Sequence, residues 1–320
     1  MKESELFWGV YKNLEEETLQ FSKYIHFSSD QKNVYSISIA DVIVRCAIEI
    51  EAISKKIYES LGGNIHPKDE NGEERDLYFD TDCLALIEKT YQLSKKEIII
   101  SAVSFYFEDA DCIITPLHKA YKRGTSGSKW KQAYQALKHD RYGTLKSKAT
   151  VENLLNTLGA LYILNLYYRD KTYPLKNDFT SFDARVDSKI FSVYTYDATN
   201  ISISAGQMDD SCIHPKDGDN IDRAIYIIKC TDDCFSKLHE ALKKDNIEMY
   251  KKIMDHPGIK QYLSAHPQYQ VEDIHKLVID AISQEAVGQF ISVKNLRPLL
   301  ANKQYEATIN RSKNIYQILP

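Results

Sequence analysis

The chain has 320 residues, 43% hydrophobic and 27% charged, an ordinary globular composition that suits one large domain or two smaller ones with real cores. A net charge of -4 argues against a broad nucleic-acid-coating surface, yet leaves room for a local basic pocket. No apolar run approaches the roughly 20 residues that span a bilayer, and the acidic start MKESELFWGVYKNLEEE lacks a signal-peptide layout, so no membrane partner is expected.

Residues 3–27 read as a first helix, with Leu6, Val10, Leu14 and Phe21 at roughly helical spacing. Residues 36–61 form a longer helix closed by Gly62 and Gly63. A polar loop covers 64–76, and 80–93 read as helix. The apolar stretch 96–107 is rich in β-branched residues, but its neighbours favour helix and it is read as helix. A flexible basic loop at 122–129 leads into helices at 129–139 and 145–169. After Pro174 the texture changes. Residues 189–196 and 200–205 read as strands, with a hairpin across 197–199, and 223–230 as a third strand. Thr231 caps a helix that runs towards Pro257, with Asp232 and Asp233 in its first turn. A further helix covers 271–285, and 288–294 is a short apolar segment of strand type. The predicted fold is mainly α: a helical bundle over residues 1–171, then a smaller α+β region over 183–320.

The long helix at 36–61 is apolar on most sides, which marks it as buried. Within it Asp41, Arg45 and Glu49 follow at successive i+4 steps and share one face with Lys56. Either this stripe faces solvent and pairs along the helix, or it lines a polar cleft. Arg45 is the more informative residue, because its fork can hold a phosphate bidentately.

The tetrad Lys138, His139, Asp140, Arg141 stands between two helices, where Gly143 and Thr144 suggest a bend. Trp130, Ala133, Tyr134 and Leu137 form one apolar stripe and read as core anchors. At a bend the tetrad can converge on one point. If that point is an RNA phosphate, His139 titrates in the range needed to activate the ribose 2′-hydroxyl or protonate the leaving oxygen. Lys138 and Arg141 would stabilise the charge that develops, and Asp140 would orient an imidazole or pair with Arg141. Alternatively His139 is a surface residue at a helix end and Arg141 pairs with Asp140 or Glu152.

The segments IEIEAISKKIY, WKQAYQALKHDR and ATVENLLNTLGALYIL together resemble the HEPN superfamily, helical bundle proteins of bacterial defence and toxin–antitoxin systems. The resemblance covers residues 36–169. It implies a HEPN-like bundle, a homodimer and RNA as a partner. The activity implied is metal-independent endoribonuclease, or else non-catalytic RNA binding or protein interaction. His139, Arg141 and Lys138 are then the expected catalytic residues, with Asp140, Arg45 and Glu49 lining the pocket. The usual signature of the superfamily, an Arg and a few residues later a His, is absent; the pair here runs from His139 to Arg141. The α+β region is expected to sense, regulate or recruit a protein partner.

Nothing in the chain calls for a metal or a cofactor. The sequence 124–129, GTSGSK, lacks the spacing of a phosphate loop, and no nucleophile motif of the GxSxG type occurs. IHPKD occurs at 65–69 and at 213–217; His66 with Asp69, or His214 with Asp217, would be the metal reading, and a Pro-anchored turn is the reading preferred. Cys46, Cys83, Cys112, Cys212, Cys230 and Cys234 include no CxxC pair and read as reduced thiols of a cytoplasmic protein.

Overall fold

The computed structural model describes residues 2–124, 127–200, 203–204, 207–208, 220–271, 274–311 and 315–316. The protein is mainly helical, 56%, with helices first and mixed sheets with helices later. The second IHPKD copy, with His214 and Asp217, lies outside the described residues, as do Cys212 and part of the predicted strand at 200–205.

Three long helices build the first half: α1 (Glu3–Phe21), α2 (Ile37–Ser60) and α7 (Val151–Arg169). α2 starts where the Ser36 hydroxyl accepts from the Ile39 N–H at 3.0 Å. It ends at Gly62, whose φ of +77° suits glycine. α7 is apolar on every side and almost wholly buried against α1 and α2. Two of its polar side chains donate within the helix: Thr157 Oγ1 to Asn153 O at 2.6 Å, and Asn165 Nδ2 to Leu161 O at 3.0 Å. Between α2 and α7 come a π-helical turn (Phe79–Leu84), α3 (Ala85–Tyr91), β1 (Ile98–Ile100), α4 (Asp109–Cys112), β2 (Ile113–Ile114), α5 (Lys129–His139) and α6 (Arg141–Lys148).

Two sequence readings are corrected here. The stretch 96–107 is not a helix: Ile98, Ile99 and Ile100 form β1, at the centre of an antiparallel sheet in the order β2–β1–β4, with β4 at Phe191–Val193. Its pairing partner lies far along the chain, so no local pattern announces it, and the β-branched side chains favour the strand. The predicted single helix at 145–169 is two. Ala149 and Thr150 break it, and the Thr150 hydroxyl caps α7 by accepting from the Asn153 N–H at 3.3 Å.

A second sheet runs in the order β3–β9–β8–β5. Its strands are β3 (Tyr173–Lys176), β5 (Thr195–Ala198), β8 (Tyr226–Cys230) and β9 (Tyr305–Ile309), of which β5 and β8 are parallel. Among the described residues the predicted hairpin across 197–199 is not formed. β5 pairs with β8, and a separate short ladder joins β6 (Ile203–Ser204) to β7 (Gln207–Met208). Thr231 caps α8 (Asp232–Asp255) as predicted, accepting from the Cys234 N–H at 3.2 Å. α9 (Pro257–Ala265), α10 (Ile274–Ala281), α11 (Val287–Phe290) and α12 (Leu296–Ala301) follow. The segment 288–294, read as a strand, instead begins in α11, where Phe290 packs with Met249 and Ile253 of α8.

The main core runs through both halves. It joins Trp8, Ile43, Leu158 and Tyr162 to Phe191, Tyr226 and Ile309. Buried Glu15 of α1 fastens this seam, accepting from Tyr11 Oη and from the Lys189 N–H, each at 2.8 Å. Two smaller cores surround α8, one against the second sheet around Leu238 and Ile227, the other among α9–α11. Among the described residues no helix is long and apolar enough to cross a membrane.

Candidate functional site

α5 is anchored on one face and open on the other. Trp130 is 1% exposed and its indole N–H donates to Pro116 O at 2.7 Å; Tyr134 and Leu137 are buried beside it. These are the core anchors the stripe predicted. The opposite face leaves Gln135, Lys138 and His139 exposed. The bend falls at Asp140, whose carboxylate caps α6 by accepting from the Gly143 N–H at 2.9 Å. Asp140 therefore shapes the corner instead of orienting His139. α6 then presents Arg141 and Tyr142 at its start, and Tyr142 is fully exposed. Arg141 reaches back to α2 and pairs with Asp41 at 2.6 Å, neither with Asp140 nor with Glu152. The Lys138 ammonium sits 5.6 Å from the centre of the Tyr134 ring.

Lys138, His139 and Arg141 thus share one exposed corner, but they line neither of the two cavities described below. The stripe on α2 divides. Arg45 turns to α1 and pairs with Glu17 at 2.6 Å, while Lys56 lies 3.5 Å from Glu3 and Glu59. Glu49 is half-buried, and burial pushes its carboxyl pKa up. Neither Arg45 nor Glu49 lines either of the cavities described below.

A cavity of about 680 Å³ opens beside α5, against α2, the π-helical turn and residues 123–124. From α2 it takes Glu51 and Lys55, six residues further along than the Arg45 and Glu49 pair. Its floor is a buried ion pair. Lys131 Nζ donates to Asp80 Oδ2 at 3.1 Å and to Ala120 O at 3.0 Å. Burial alone would raise the Asp80 pKa, but Lys131, the Thr81 N–H and Arg123 outweigh it and hold the carboxyl below its ordinary value. Burial pulls the Lys131 amine down. Breaking such a pair strands a charge, at a cost of about 3–5 kcal/mol. The π-helical turn places Asp80, and the Cys83 N–H reaches Tyr78 O at 3.2 Å across its wide ring.

Above the floor, the Arg123 guanidinium stacks 4.0 Å from the Tyr78 ring and lies 3.4 Å from Asp80. Arg75 approaches the same ring at 4.9 Å and forks onto Asp82 at 2.7 and 2.8 Å. Tyr134 borders this region, its hydroxyl pushed up to about 12 by burial and by the Glu51 carboxylate. Lys148 of α6, Gln132 and Gln135 complete the polar wall, and Leu77 and Phe79 the apolar one. A second cavity, about 460 Å³, lies on the other side of α5 and takes in His118, Lys119 and Glu152.

A sequence signal for this region goes beyond the tetrad. From 113 to 150 there are nine Lys and Arg residues and one carboxylate, Asp140, in a chain that is acidic overall. That concentration marks an anion-holding face more clearly than the order of four residues does. Among the described residues no group of three or more His, Cys, Asp or Glu is placed to hold a metal ion. His66 instead bonds Glu74 at 2.6 Å in a turn. Comparisons with protein-family models, curated proteins and solved structures return no match.

Proposed function

We propose that this chain is a HEPN-like RNA-binding protein of a bacterial defence or toxin-type system, acting in the cytoplasm through the corner between α5 and α6. The carrying observation is the exposed set Lys138, His139, Arg141, Tyr142 and Lys146 on a stretch of chain, 113–150, that holds one carboxylate of its own, with Asp41 of α2 paired to Arg141. Cations there meet backbone phosphates and the bare Tyr142 ring offers a base its face. Single-stranded RNA fits this chemistry better than a duplex, because stacking needs a splayed base. Homodimerisation and a protein partner on the α+β region belong to the same reading, on the strength of the resemblance alone.

Fluorescence anisotropy with a short single-stranded RNA tests it. Affinity is expected to fall with salt, by a logarithmic slope of about 0.7 per phosphate contacted. Lys138→Gln with Arg141→Gln is expected to flatten that slope, and Tyr142→Ala to weaken binding by about 1–3 kcal/mol. Affinity unchanged in all these variants would remove the corner from the RNA site.

Catalysis is the second reading, favoured by the exposure of His139 and Arg141 at one corner, where a second copy can meet them. His139 would take the proton of the 2′-hydroxyl or return one to the leaving oxygen, with Arg141 and Lys138 holding the phosphate charge. Cleavage of RNA without metal by the wild type, and its loss in His139→Ala and Arg141→Ala, would establish this reading. Equal cleavage by all three proteins would end it. A monomer by light scattering across micromolar concentrations would count against a shared cleft.

A further inference from the structure

We propose that the cavity of about 460 Å³ on the other side of α5 is a site for a small organic carboxylate. The acid group sits at the start of the helix, and the apolar body lies on Phe107, Ile113, Ile114, Pro116 and Leu155. Two independent observations place an anion there. The first is the start of α5. Ser128 stands at the N-cap, but its side chain caps no N–H, and no acidic residue occupies the first turn. The positive end of this 11-residue helix is thus left without the side-chain oxygen that such ends usually receive. The second is the Ser128 hydroxyl itself. Ser128 lines the cavity and is 7% exposed, and among the described residues its Oγ has no hydrogen-bond partner. A buried hydroxyl without a partner is costly, and an acceptor in the cavity, met by rotation about χ1, removes that cost.

The rest of the lining narrows the class. Three lysines and two carboxylates line the cavity. Lys32 is 3.2 Å from Asp111 and Lys129 is 3.4 Å from Glu152. Lys119 is left as the lining lysine without a carboxylate among the described residues. One surplus charge suits a monoanion, whereas a dianionic phosphate would meet added repulsion from Asp111 and Glu152. A bare inorganic anion would leave the apolar wall in water. A neutral apolar compound would leave Lys119 and the helix start unanswered. A carboxylate on an aliphatic or aromatic body satisfies both, and the volume is within the roughly 300–1,000 Å³ usual for small-molecule sites. The walls are held by the fold: the Trp130 indole N–H is engaged by Pro116 O at 2.7 Å, and Leu155 belongs to the main core. Lys138, Arg141 and Tyr142 do not line this cavity, so the proposal stands apart from the RNA reading.

Saturation-transfer NMR and calorimetric titration of the full chain with phenylacetate and with 4-methylpentanoate test the site. Acetate, phenylacetamide, phenyl phosphate and inorganic phosphate are the comparisons. At least one of the two carboxylates is expected to bind at millimolar concentration or below. It is expected to bind about tenfold more tightly than acetate, which lacks the apolar body, or phenylacetamide, which lacks the charge. Lys119→Gln and Ser128→Ala are each expected to weaken it several-fold, with thermal melts confirming that each variant folds. Lys55→Gln with Lys148→Gln, which alters the other cavity, is expected to leave it unchanged. A serine that only packs would give the opposite result, with Ser128→Ala binding as the wild type does. The proposal is overturned if neither carboxylate binds, or if phenyl phosphate binds more tightly than phenylacetate. It is overturned equally if Lys119→Gln and Ser128→Ala leave binding unchanged.

Discussion

Lys96 shows how much a single buried charge governs here. Its amine donates to Asp222 O at 3.0 Å, and burial draws its pKa from 10.5 down to about 8. Between those values the unfolded chain keeps a proton that the folded chain has released, so stability rises with pH across that window. The gain is of the order of 3 kcal/mol at its upper end. It is opposed from about pH 9, because burial raises the Cys46, Cys83 and Cys230 thiols, and further from about pH 10, because burial raises Tyr11, Tyr162 and Tyr167; ionisation of all of these favours the unfolded chain. Urea unfolding is expected to show the wild type gaining stability relative to Lys96→Met as pH rises from about 8; parallel pH curves for the two proteins would show that another group is responsible. At this scale the sequence was legible where one helix face decided a residue's fate. Trp130, Tyr134 and Leu137 are buried as their spacing indicates. Arg45 and Glu49 line neither of the two cavities, because spacing gives a shared face and not the neighbour that covers it. Glu17 of α1 takes Arg45, and the cavity receives Glu51 and Lys55.

At the scale of elements, the close approach of β1 to α7 depends on Gly159. A Cβ there would meet Ile98 Cδ1 at 2.7 Å and Ile114 Cδ1 and the Pro116 ring at 3.4 Å. The first contact is with the far end of a flexible side chain, so Gly159→Ala can be absorbed. Gly159→Leu is expected to push the strand pair off the helix and cost about 1–3 kcal/mol, read as a lower urea midpoint at unchanged slope. An unchanged midpoint would mean that the two elements are not in firm contact. The helices themselves were readable from apolar spacing and caps: Ser36, Thr150 and Thr231 each bond the N–H three residues on. The strands were readable less often. β1 has only three residues, and both neighbours, β2 and β4, lie outside its own segment. β9 alternates half-buried and buried side chains from Glu306 to Ile309, yet its place between β3 and β8 follows from pairing alone.

Over the whole molecule, an acidic chain carries a basic stretch at 113–150, which includes α5 and α6. The helices beneath are rigidly braced, with α7 buried along nearly its full length and the core continued into β4, β8 and β9. Such a scaffold suits a surface that must hold Lys138, Arg141 and Tyr142 in fixed relation while they bind a flexible strand. Tight packing gives the corner its shape, whereas the anion it meets is set by charge. Ultraviolet crosslinking of the full chain to a single-stranded RNA that it binds, followed by peptide mapping, reports where the strand lies. Adducts are expected within 129–148, with Tyr142 foremost. Adducts confined to the region after residue 183, or spread without preference over the acidic surface, would contradict the placement of RNA on this corner.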